Sequence, residues 1–517
     1  MTTVSIRHPG IVILVLSLFS IITAQPSAIM GQTMIRVAQA SAAVAQEATK
    51  ASAAANTSDA QLKTIRDLIQ VKLDQFRVAR GFPGATIGFV LADGRSGSVS
   101  TGVSDLLTKR PLVPTDLMLA GSTGKTFVAA LMIQLAQEGK VNLDDRIANW
   151  FKADSWFARL PNGNDITVRM LLNHSTGIPD HADEPRFFKA LAANPDRQWR
   201  PEEIVALVLN KKPPFAAGKG YSYSDTNYIL AGMIIERVTQ TTLYSEVTRR
   251  FLKPLKLDHI VPQEGRIIPG LVNGYSQFTM LAGPDGAMIV DGKFTIDPQV
   301  EWAGGGFATT AEDLAQWAKS LYAGELIKQP YMDQMLAGIS TGEVGLYGLG
   351  VEIGDGRWGK AYGHDGIFPG YVSAMQYFPQ ERTAVAIQIN TDREKQLPDV
   401  NVCIDEVMKI ITGELTGKKF EEPKDRKAVV VDPKVFDAYA GRYEVAPGVI
   451  LTISRDAERL MAQTAGQAPA HIVPSSETEY FSRRVDVQIK FVKNEQGRVT
   501  GMVIVQNGRN IPARKIK

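Results

Sequence analysis

The chain has 517 residues, of which 44% are hydrophobic and 21% are charged, and its formal net charge is +3. This composition is that of an ordinary globular protein, and the length exceeds what one hydrophobic core supports, so two or three domains are expected. The small net charge argues against a nucleic acid or an acidic membrane surface as the partner, and the single cysteine excludes an internal disulfide.

The first 60 residues are expected to lie outside any folded core. Arg7 precedes an apolar run from Ile11 to Ile22, which is short for a membrane span and suits the core of a signal peptide at residues 1–24. An uncleaved anchor helix is the alternative. Residues 25–60 are rich in Ala, Gln and Ser, which is typical of a tether. The sequence therefore predicts a periplasmic or secreted protein, with membrane contact only through the N-terminal segment if that segment stays uncleaved.

Residues 61–415 are predicted to form an α+β domain. Apolar residues recur at helical spacing in Gln61–Arg80, Val168–Leu172, Pro201–Leu209, Tyr228–Val238, Thr310–Tyr322 and Leu397–Thr412. Ala85–Val99 is predicted to form two strands joined in a hairpin at Asp93-Gly94. Further strand-forming runs occupy Lys360–His364, Tyr371–Phe378 and Thr383–Asn390. An antiparallel sheet flanked by helices would thus take its strands from both ends of the domain, with a helical region inserted between them.

Two segments are expected to shape the substrate cleft. Val261–Gly306 contains glycine and proline throughout, and Pro179–Gln198 lies between two predicted helices. Long irregular segments of this kind usually line binding sites. We therefore expect these two loops to decide which substrate is accepted.

The C-terminal part is predicted to be a separate small domain, preceded by a charged linker at residues 416–431. Within residues 432–517, Val487, Ile489 and Phe491 alternate with polar residues, so one face of that strand is exposed to water. Asn494–Gly497 and Asn507-Gly508 are predicted turns. Short strands separated by such turns indicate an antiparallel β-barrel or sandwich.

Ser122 and Lys125 are the first candidates for catalysis. Ser122 stands where an apolar helix begins, and Lys125 follows one turn later on the same face. A serine hydroxyl needs a nearby base to act as a nucleophile, and a lysine that loses its charge on burial can be that base. The free N–H groups at the start of the helix could also stabilise an oxyanion.

A purely structural interpretation of this pair is also open. Ser-x-x-Lys occurs by chance, and Ser122 could cap the helix while Lys125 faces solvent. The helix argues against this, because residues 127–135 are apolar nearly all round and such a helix is buried. A lysine in its first turn then requires a reason to be there.

Two further clusters could carry chemistry. Tyr223 and Asp225 precede an apolar helix, and a tyrosine beside a lysine could pass a proton to a leaving group; alternatively, Asp225 caps the helix and the tyrosine packs. In His364-Asp365-Gly366-Ile367, Gly366 permits a close approach and the Ile367 N–H could be a second oxyanion donor. An ordinary turn is the alternative for that cluster.

No metal or other cofactor is predicted. The six histidines are scattered without metal-ligand spacing, so a metal site is not supported. Gly304-Gly305-Gly306 is not followed by the Lys-Ser/Thr of a phosphate loop, which makes nucleotide binding an unsuitable interpretation. Cys403 lies in an apolar pattern typical of a packed thiol.

In this order, the three clusters resemble the serine β-lactamase and D,D-carboxypeptidase superfamily, in its class C-like branch. The signatures Ser-x-x-Lys, Tyr-x-Asn and Lys-Thr-Gly or His-x-Gly correspond here to Ser122–Lys125, Tyr223–Asp225 and His364–Gly366. The stretches 171–179 and 303–314 are similar as well. The resemblance implies a β-lactamase/transpeptidase-like fold, and Tyr439–Tyr443 resembles the lipocalin-like domain often appended in this superfamily.

The resemblance also implies a role for each residue. Ser122 attacks a carbonyl and forms an acyl-enzyme, while Lys125 and Tyr223 transfer protons; which of the two is the base stays open. The oxyanion hole is formed by the N–H groups of Ser122 and Ile367. Substrate binding and orientation are implied for Asp225, His364 and Gly366.

Two positions depart from the signatures. Asp225 stands where the family has Asn, and an ionised carboxylate cannot donate to a substrate carbonyl as an amide does. His364 stands where many members have Lys, so the charge offered to a substrate carboxylate is expected to depend on pH. The second departure favours peptidases and esterases over efficient β-lactamases.

The sequence thus predicts an exported serine hydrolase acting on a small molecule or peptide, with D,D-carboxypeptidase or D-amino-acid peptidase activity as the leading interpretation and peptidoglycan stem peptides as possible substrates. A carboxylesterase or a β-lactamase on the same scaffold is the alternative. A non-catalytic wall-binding or sensing protein is the alternative of another class, since fold does not fix function. No nucleic-acid partner is expected.

Overall fold

The computed structural model describes residues 58–341, 345–420, 428–446, 449–456, 459–464, 470–482, 487–506 and 509–516. The predicted signal peptide, residues 25–57 of the predicted tether, part of the charged linker and the Asn507-Gly508 turn lie outside these residues. Among the helices described, none combines the length and the hydropathy that crossing a membrane requires.

The described helices belong to the compact unit Gln61–Lys517, apart from the first three residues of the first helix. They are α1 (residues 58–80), α2 (Lys125–Gln137), α3 (Ala148–Phe151), α4 (Val168–Leu172), α5 (Pro185–Ala193), α6 (Pro201–Val205), α7 (Asp225–Thr239), α8 (Leu243–Val247), α9 (Lys253–Leu255), α10 (Ala311–Tyr322), α11 (Tyr331–Met335), α12 (Val400–Thr416) and α13 (Phe436–Tyr439). The central one is α2, of which eleven of thirteen residues are buried, and α7 and α8 pack against it.

An eight-stranded antiparallel sheet forms the frame of the larger domain, in the order β2-β1-β13-β12-β11-β10-β9-β8. Its strands are β1 (Gly84–Val90), β2 (Ser96–Gly102), β8 (Ile339–Ser340), β9 (Leu346–Tyr347), β10 (Glu352–Gly356), β11 (Gly359–Phe368), β12 (Tyr371–Phe378) and β13 (Thr383–Ile389). The shorter strands β3 (Met118–Leu119), β4 (Val261–Pro262), β5 (Ile289–Val290), β6 (Lys293–Phe294) and β7 (Phe307–Thr309) pair outside this sheet.

Helices cover both faces of the sheet. On one face α1 and α12 bury residues such as Ile65 and Val407 against Ile87 and Ile387, and on the other α10 packs on β1, β12 and β13. Every residue of β1 and of β13 is buried as a result, which is the pattern of a central strand with both faces covered.

The predicted fold class is confirmed: the domain is α+β, and its sheet pairs the N-terminal β1 with the C-terminal β13, Ile87 opposite Ile387. The hairpin at Asp93-Gly94 joins β1 to β2 in the register Phe89 to Gly97. The helix predicted from Thr310 begins as expected, because the Thr310 side chain accepts the Asp313 N–H as a cap.

Some predicted bounds are wrong. The closing helix begins at Val400, not at Leu397, because the Asp399 side chain caps it by accepting the N–H groups of Asn401 and Val402. The predicted strand Lys360–His364 is part of a longer strand that continues to Phe368. The predicted loop Pro179–Gln198 contains α5, whose buried residues are Phe187 and Leu191.

The C-terminal domain is a closed eight-stranded antiparallel barrel, which confirms the barrel prediction over the sandwich. Its strands are β14 (Gly441–Ala446), β15 (Val449–Asp456), β16 (Arg459–Thr464), β17 (Ala470–Pro474), β18 (Glu479–Ser482), β19 (Val487–Lys493), β20 (Val499–Gln506) and β21 (Arg509–Lys515). It has a hydrophobic core of its own, in which Tyr439 stacks on Phe491 with ring centroids 4.1 Å apart.

Candidate active site

Ser122 lies in a 3-10 turn, Gly121–Gly124, that runs directly into α2. It is partly exposed, whereas Thr123, Gly124 and Lys125 around it are buried. Its side chain does not cap the helix. A hydroxyl at the start of a buried helix and open to solvent on one side is suitably placed for a nucleophile.

The Lys125 side chain is fully buried and has three oxygen neighbours. Its Nζ lies 2.9 Å from Ser122 Oγ, 2.6 Å from the Gly304 carbonyl oxygen and 2.5 Å from Asp225 Oδ1. An ammonium group has three donors and no acceptor, so these contacts match its capacity. Lys125 is therefore not the solvent-facing residue of the structural alternative.

Tyr223 precedes α7, and its ring centroid lies 5.0 Å from Lys125 Nζ. Its hydroxyl is buried and makes no hydrogen bond of regular geometry, but it lies close enough to Ser122 for their interaction to affect its pKa. Burial raises the pKa of Tyr223 well above 10, the charge of Asp225 raises it further, and the contact with Ser122 offsets only part of this. The phenol therefore keeps its proton in the resting site.

Asp225 is the first residue of α7 and forms the ion pair with Lys125. Burial acts to raise its pKa, but the charge of Lys125 outweighs it and holds the pKa below the usual value, so the carboxylate is ionised. Its backbone N–H donates to Asp180 Oδ2 at 3.1 Å. Burial and the charge of Asp225 raise the pKa of Asp180, since two carboxylates this close resist ionising together.

Glu301 is a carboxyl group that sequence analysis missed. A Cβ atom at Gly305 would lie 2.5 Å from Glu301 Oε1, so the carboxyl rests against the loop whose Gly304 carbonyl binds Lys125. Burial raises the pKa of Glu301 to about 8, with Lys125 opposing and Asp225 adding to the shift. The next residue, Trp302, has φ 38°, a strained conformation for a side chain and common at functional sites.

His364 lies on β11 with 2% of its surface exposed. Its Nε2 lies 2.7 Å from the Tyr347 hydroxyl, and its Nδ1 lies 2.5 Å from the Asp365 carbonyl oxygen. Burial and the charge of Lys125 lower its pKa to about 3. The ring is therefore neutral at physiological pH, which differs from the pH-dependent charge that the sequence suggested. Its substrate-binding role stays a prediction.

The predicted oxyanion hole depends on two glycines that let β11 approach the nucleophile turn. A Cβ atom at Gly366 would lie 2.2 Å from the Ala120 carbonyl oxygen and 3.0 Å from the Ser122 nitrogen. A Cβ atom at Gly121 would lie 2.7 Å from the Ile367 nitrogen. The Ser122 nitrogen thus lies close to Gly366 and the Ile367 nitrogen close to Gly121, which is the close approach that the predicted oxyanion hole requires. Ile367 as a whole is 61% exposed.

Both predicted substrate loops line a surface cavity of about 690 Å³. Ala192 contributes from the first loop, and residues between Arg266 and Ile296 contribute from the second. None of the predicted catalytic residues lines this cavity. Among the described residues, no group of His, Cys, Asp and Glu could hold a metal ion.

Comparison with known proteins places the larger domain in a family. Residues 65–404 match the model of a family described as Beta-lactamase, and residues 425–513 match a domain of unknown function, DUF3471. Penicillin-binding protein 4* of Bacillus subtilis is 24% identical over 81% of this chain and 92% of its own length.

Two groups of solved structures are similar to this chain. A D-stereospecific amidohydrolase from a Streptomyces species is 27% identical, with a TM-score of 0.56 over 68% of this chain and 99% of that one. The D-amino acid amidase from Ochrobactrum anthropi SV3 is 26% identical, with a TM-score of 0.58 and the same coverage.

Proposed function

Because the chain belongs to the beta-lactamase family of serine hydrolases, we propose that it cleaves the amide or peptide bonds of D-amino-acid derivatives through an acyl-enzyme on Ser122. The observation that carries the proposal is the convergence of the Ser122 hydroxyl, the Lys125 amine and the Tyr223 ring in one partly open site. Two structural neighbours, named as a D-stereospecific amidohydrolase and a D-amino acid amidase, support the choice of substrate class.

In the acylation step, Ser122 Oγ forms a bond to the substrate carbonyl carbon and its proton passes to the Lys125–Tyr223 pair. The negative charge that develops on the carbonyl oxygen is stabilised by the N–H groups of Ser122 and Ile367. The C–N bond then breaks, and the amine leaves with a proton from the same pair. Water attacks the resulting ester and releases the acid.

Asp225 gives the Lys125–Tyr223 pair an acceptor that the asparagine of the family signature would not provide. Lys125 contacts both Ser122 Oγ and Asp225 Oδ1 in the resting site, so it can pass one of its own protons to the carboxylate and then, as a neutral amine, take the proton of Ser122. Tyr223 keeps its own proton, because burial raises its pKa, and can donate that proton to the leaving amine.

The charges around the site favour a substrate with a free amino group over one with a free carboxylate. Of the described lysine and arginine side chains, Lys125 is the one that hydrogen-bonds to the Ser122 hydroxyl. Lys125 is already paired with Asp225, which keeps 28% of its side chain exposed. An ammonium group is attracted to such a site, whereas a terminal carboxylate lacks a partner. An amidase or aminopeptidase therefore suits it better than a carboxypeptidase.

The test compares turnover of D-phenylalanine amide, its L-enantiomer and an N-acetylated D-Ala-D-Ala peptide. We expect the D-amide to be preferred and the Ser122→Ala variant to lose about 10⁴-fold or more in kcat. Ser100→Ala is the matched control, because Ser100 donates only to the Leu112 carbonyl and should leave turnover unchanged. Equal turnover by wild type and Ser122→Ala would overturn the proposal.

The same assay distinguishes the alternatives. A carboxylesterase would hydrolyse short-chain esters without cleaving the D-amide, and a β-lactamase would hydrolyse a chromogenic cephalosporin. Preference for the acetylated peptide over the free amine would instead favour a D,D-carboxypeptidase. A non-catalytic wall-binding protein would turn over none of them and would bind peptidoglycan equally well after Ser122→Ala.

Export is part of the proposal. The apolar run from Ile11 to Ile22 supports a signal peptide, and a curated relative is named a penicillin-binding protein. Cell fractionation and N-terminal sequencing of the protein made in a bacterial host test this. A cytoplasmic protein that keeps residue 1 would contradict it.

A further inference from the structure

His174 holds Tyr223 from three sides. Its carbonyl oxygen accepts the Ser222 N–H at 3.0 Å, and its Nδ1 accepts the Ser224 N–H at 3.2 Å. Its ring lies against the Tyr223 ring with the centroids 4.2 Å apart and an interplanar angle of 33°. The backbone on both sides of Tyr223 and one face of its phenol therefore rest on a single residue.

The backbone of His174 has an unusual conformation. His174 has φ 59°, a left-handed conformation that few residues other than glycine adopt, although histidine, asparagine and aspartate adopt it more often than the rest. The ring is completely buried and the turn that it occupies connects α4 to the residues before Gly177. Strain of this kind persists where the surrounding structure imposes it, and it is concentrated at functional sites.

The hydrogen bonds of His174 determine its tautomer. Nδ1 accepts from the Ser224 N–H and is also 3.2 Å from Asn227 Nδ2. The Asn227 amide is oriented by its Oδ1, which accepts the Thr176 hydroxyl at 2.7 Å. Because Nδ1 is an acceptor, the proton of the neutral ring is on Nε2. Burial, with the nearby Lys125 and His364, holds the pKa of His174 well below its usual value, which keeps the ring neutral.

Tyr347 connects His174 to the other wall of the site. His174 Nε2 lies 3.3 Å from the Tyr347 hydroxyl, which lies 2.7 Å from His364 Nε2. With the proton of His174 on Nε2, Tyr347 accepts from His174 and donates to His364, whose Nδ1 donates to the Asp365 carbonyl. Each of these groups donates toward the Asp365 carbonyl, so each hydrogen bond favours the proton position that the next one requires.

We propose that His174 is a positioning residue for Tyr223, which it holds through the Ser224 N–H and the face of the phenol, and that Tyr347 fixes the tautomer that this requires. The inference rests on the proposed acyl-enzyme mechanism, because it assigns the purpose of the arrangement to proton transfer at Ser122. His174 acts through Tyr223, and Tyr347 acts through His174 while it also hydrogen-bonds to His364.

The variants His174→Gly and His174→Asn test this, because both residues accept a positive φ. Glycine keeps the carbonyl that binds the Ser222 N–H and removes the ring. Asparagine restores an acceptor close to the position of Nδ1. Tyr347→Phe leaves His174 in place and removes the bond that fixes its tautomer.

The readout is the rate at which a fluorophosphonate phosphonylates Ser122, with loss of fluoride, together with kcat and KM for a D-amino-acid amide. A displaced phenol is expected to cost His174→Gly about 100-fold in phosphonylation and kcat, with KM unchanged within about threefold. His174→Asn and Tyr347→Phe should fall between glycine and wild type. Thermal unfolding of each variant is measured in parallel. Wild-type rates in a folded His174→Gly variant, or equal losses in the glycine and asparagine variants, would overturn the proposal.

A second measurement does not depend on activity. In ¹⁵N-histidine NMR spectra of the whole chain, the signals missing from His174→Gly identify His174 among the six histidines. We expect a neutral ring with its proton on Nε2 between pH 5 and 8. A proton on Nδ1, or an imidazolium in this range, would overturn the inference. If the wild type reacts with no acylating probe, the proposed function fails, and this spectrum still decides the inference separately.

Discussion

At the scale of single residues, the chemistry of the site follows from a small change in the signature. A carboxylate at position 225 makes a 2.5 Å ion pair with Lys125, which an asparagine could not do. Burial raises the pKa values of Tyr223, Asp180 and Glu301, and the negative charge of Asp225 raises them further. The carboxylate at this position therefore alters the protonation of the surrounding groups, and we propose that it also alters the preferred substrate.

Asp225→Asn is expected to weaken the preference for a substrate with a free amino group. The variant removes the exposed negative charge that attracts an ammonium group, and it returns an amide donor that a substrate carbonyl can use. We expect kcat/KM for a free D-amino-acid amide to fall by about 10-fold or more and that for its N-acetylated counterpart to fall less or to rise. Steady-state kinetics on the two substrates measure this. An equal loss on both would contradict the role of charge in selection.

The raised pKa of Glu301 predicts that the stability of the protein depends on pH. In the folded protein it keeps its proton up to about pH 8, whereas its usual pKa is 4.5. The folded state therefore binds more protons between these values, so the free energy of unfolding falls as the pH rises through this window. Glu301→Gln does not ionise, so its stability relative to wild type should increase from pH 5.5 to pH 8.5.

Urea unfolding at several pH values measures this difference, and Glu414→Gln is the control because Glu414 is exposed. The histidines with lowered pKa values change stability in the opposite direction, but they are common to the proteins compared and cancel in the difference. A stability difference between Glu301→Gln and wild type that stays constant with pH would contradict the buried, protonated state.

At the scale of elements, the contact between β11 and the turn that contains Ser122 would set the geometry of the proposed oxyanion hole. Gly366 pairs with Ser373 across to β12, and the Ser373 hydroxyl donates to the Ala120 carbonyl at 2.5 Å. The same carbonyl accepts the Thr123 hydroxyl at 2.9 Å. The Ser373 side chain thus attaches the start of the turn to the sheet. Gly366 permits the close approach that this hydrogen bond requires.

Gly366→Ala is expected to separate these two elements. The added Cβ atom would lie 2.2 Å from the Ala120 carbonyl oxygen and 2.6 Å from Ser373 Oγ, so β11 must move and the Ile367 N–H moves with it. We expect the rate at which a fluorophosphonate phosphonylates Ser122 to fall by about 100-fold. Gly356→Ala on β10 is the control, because a Cβ atom there meets nothing within 4 Å. An unchanged rate in Gly366→Ala would contradict the assignment of Ile367.

Periodicity predicted the long elements and missed those that depend on tertiary contact. The apolar pattern after Ser122 gave α2, and Asp93-Gly94 gave the first hairpin. β8 and β9 have two residues each, which is too short for alternation to be recognised, and Tyr347 is on β9. The amphipathic α5 was hidden in a segment interpreted as a loop.

The motif residues could be found from sequence because each has a fixed spacing, but their partners could not. His174 was noticed only as part of a similar stretch, and Glu301 was not noticed at all. Both lie far along the chain from the motif residue concerned: Glu301 lies near Lys125, and His174 contacts Tyr223. Burial decides the neutral state of His364, and a sequence does not display the burial of a single side chain.

At the scale of the whole molecule, the C-terminal barrel has a core separate from those of the larger domain. Phe491 stacks on Tyr439 and has 3% of its surface exposed. We expect Phe491→Ala to destabilise the barrel by about 3–5 kcal/mol while acylation of Ser122 keeps its wild-type rate. Calorimetry and fluorophosphonate labelling of the full chain measure both. A parallel loss of acylation in the folded protein would indicate that the barrel contributes to the site.

The proposed mechanism requires a covalent adduct on Ser122 that Lys125 and Tyr223 help to form. Mass spectrometry of the protein, quenched during turnover of a D-amino-acid ester or after reaction with a fluorophosphonate, detects such an adduct. We expect one adduct, on the peptide that contains Ser122. It should form more slowly in Lys125→Met but not in the control Lys319→Met, which removes a buried lysine that donates to the Leu91 carbonyl. No adduct on Ser122, or an adduct on another residue that persists in Ser122→Ala, would contradict it.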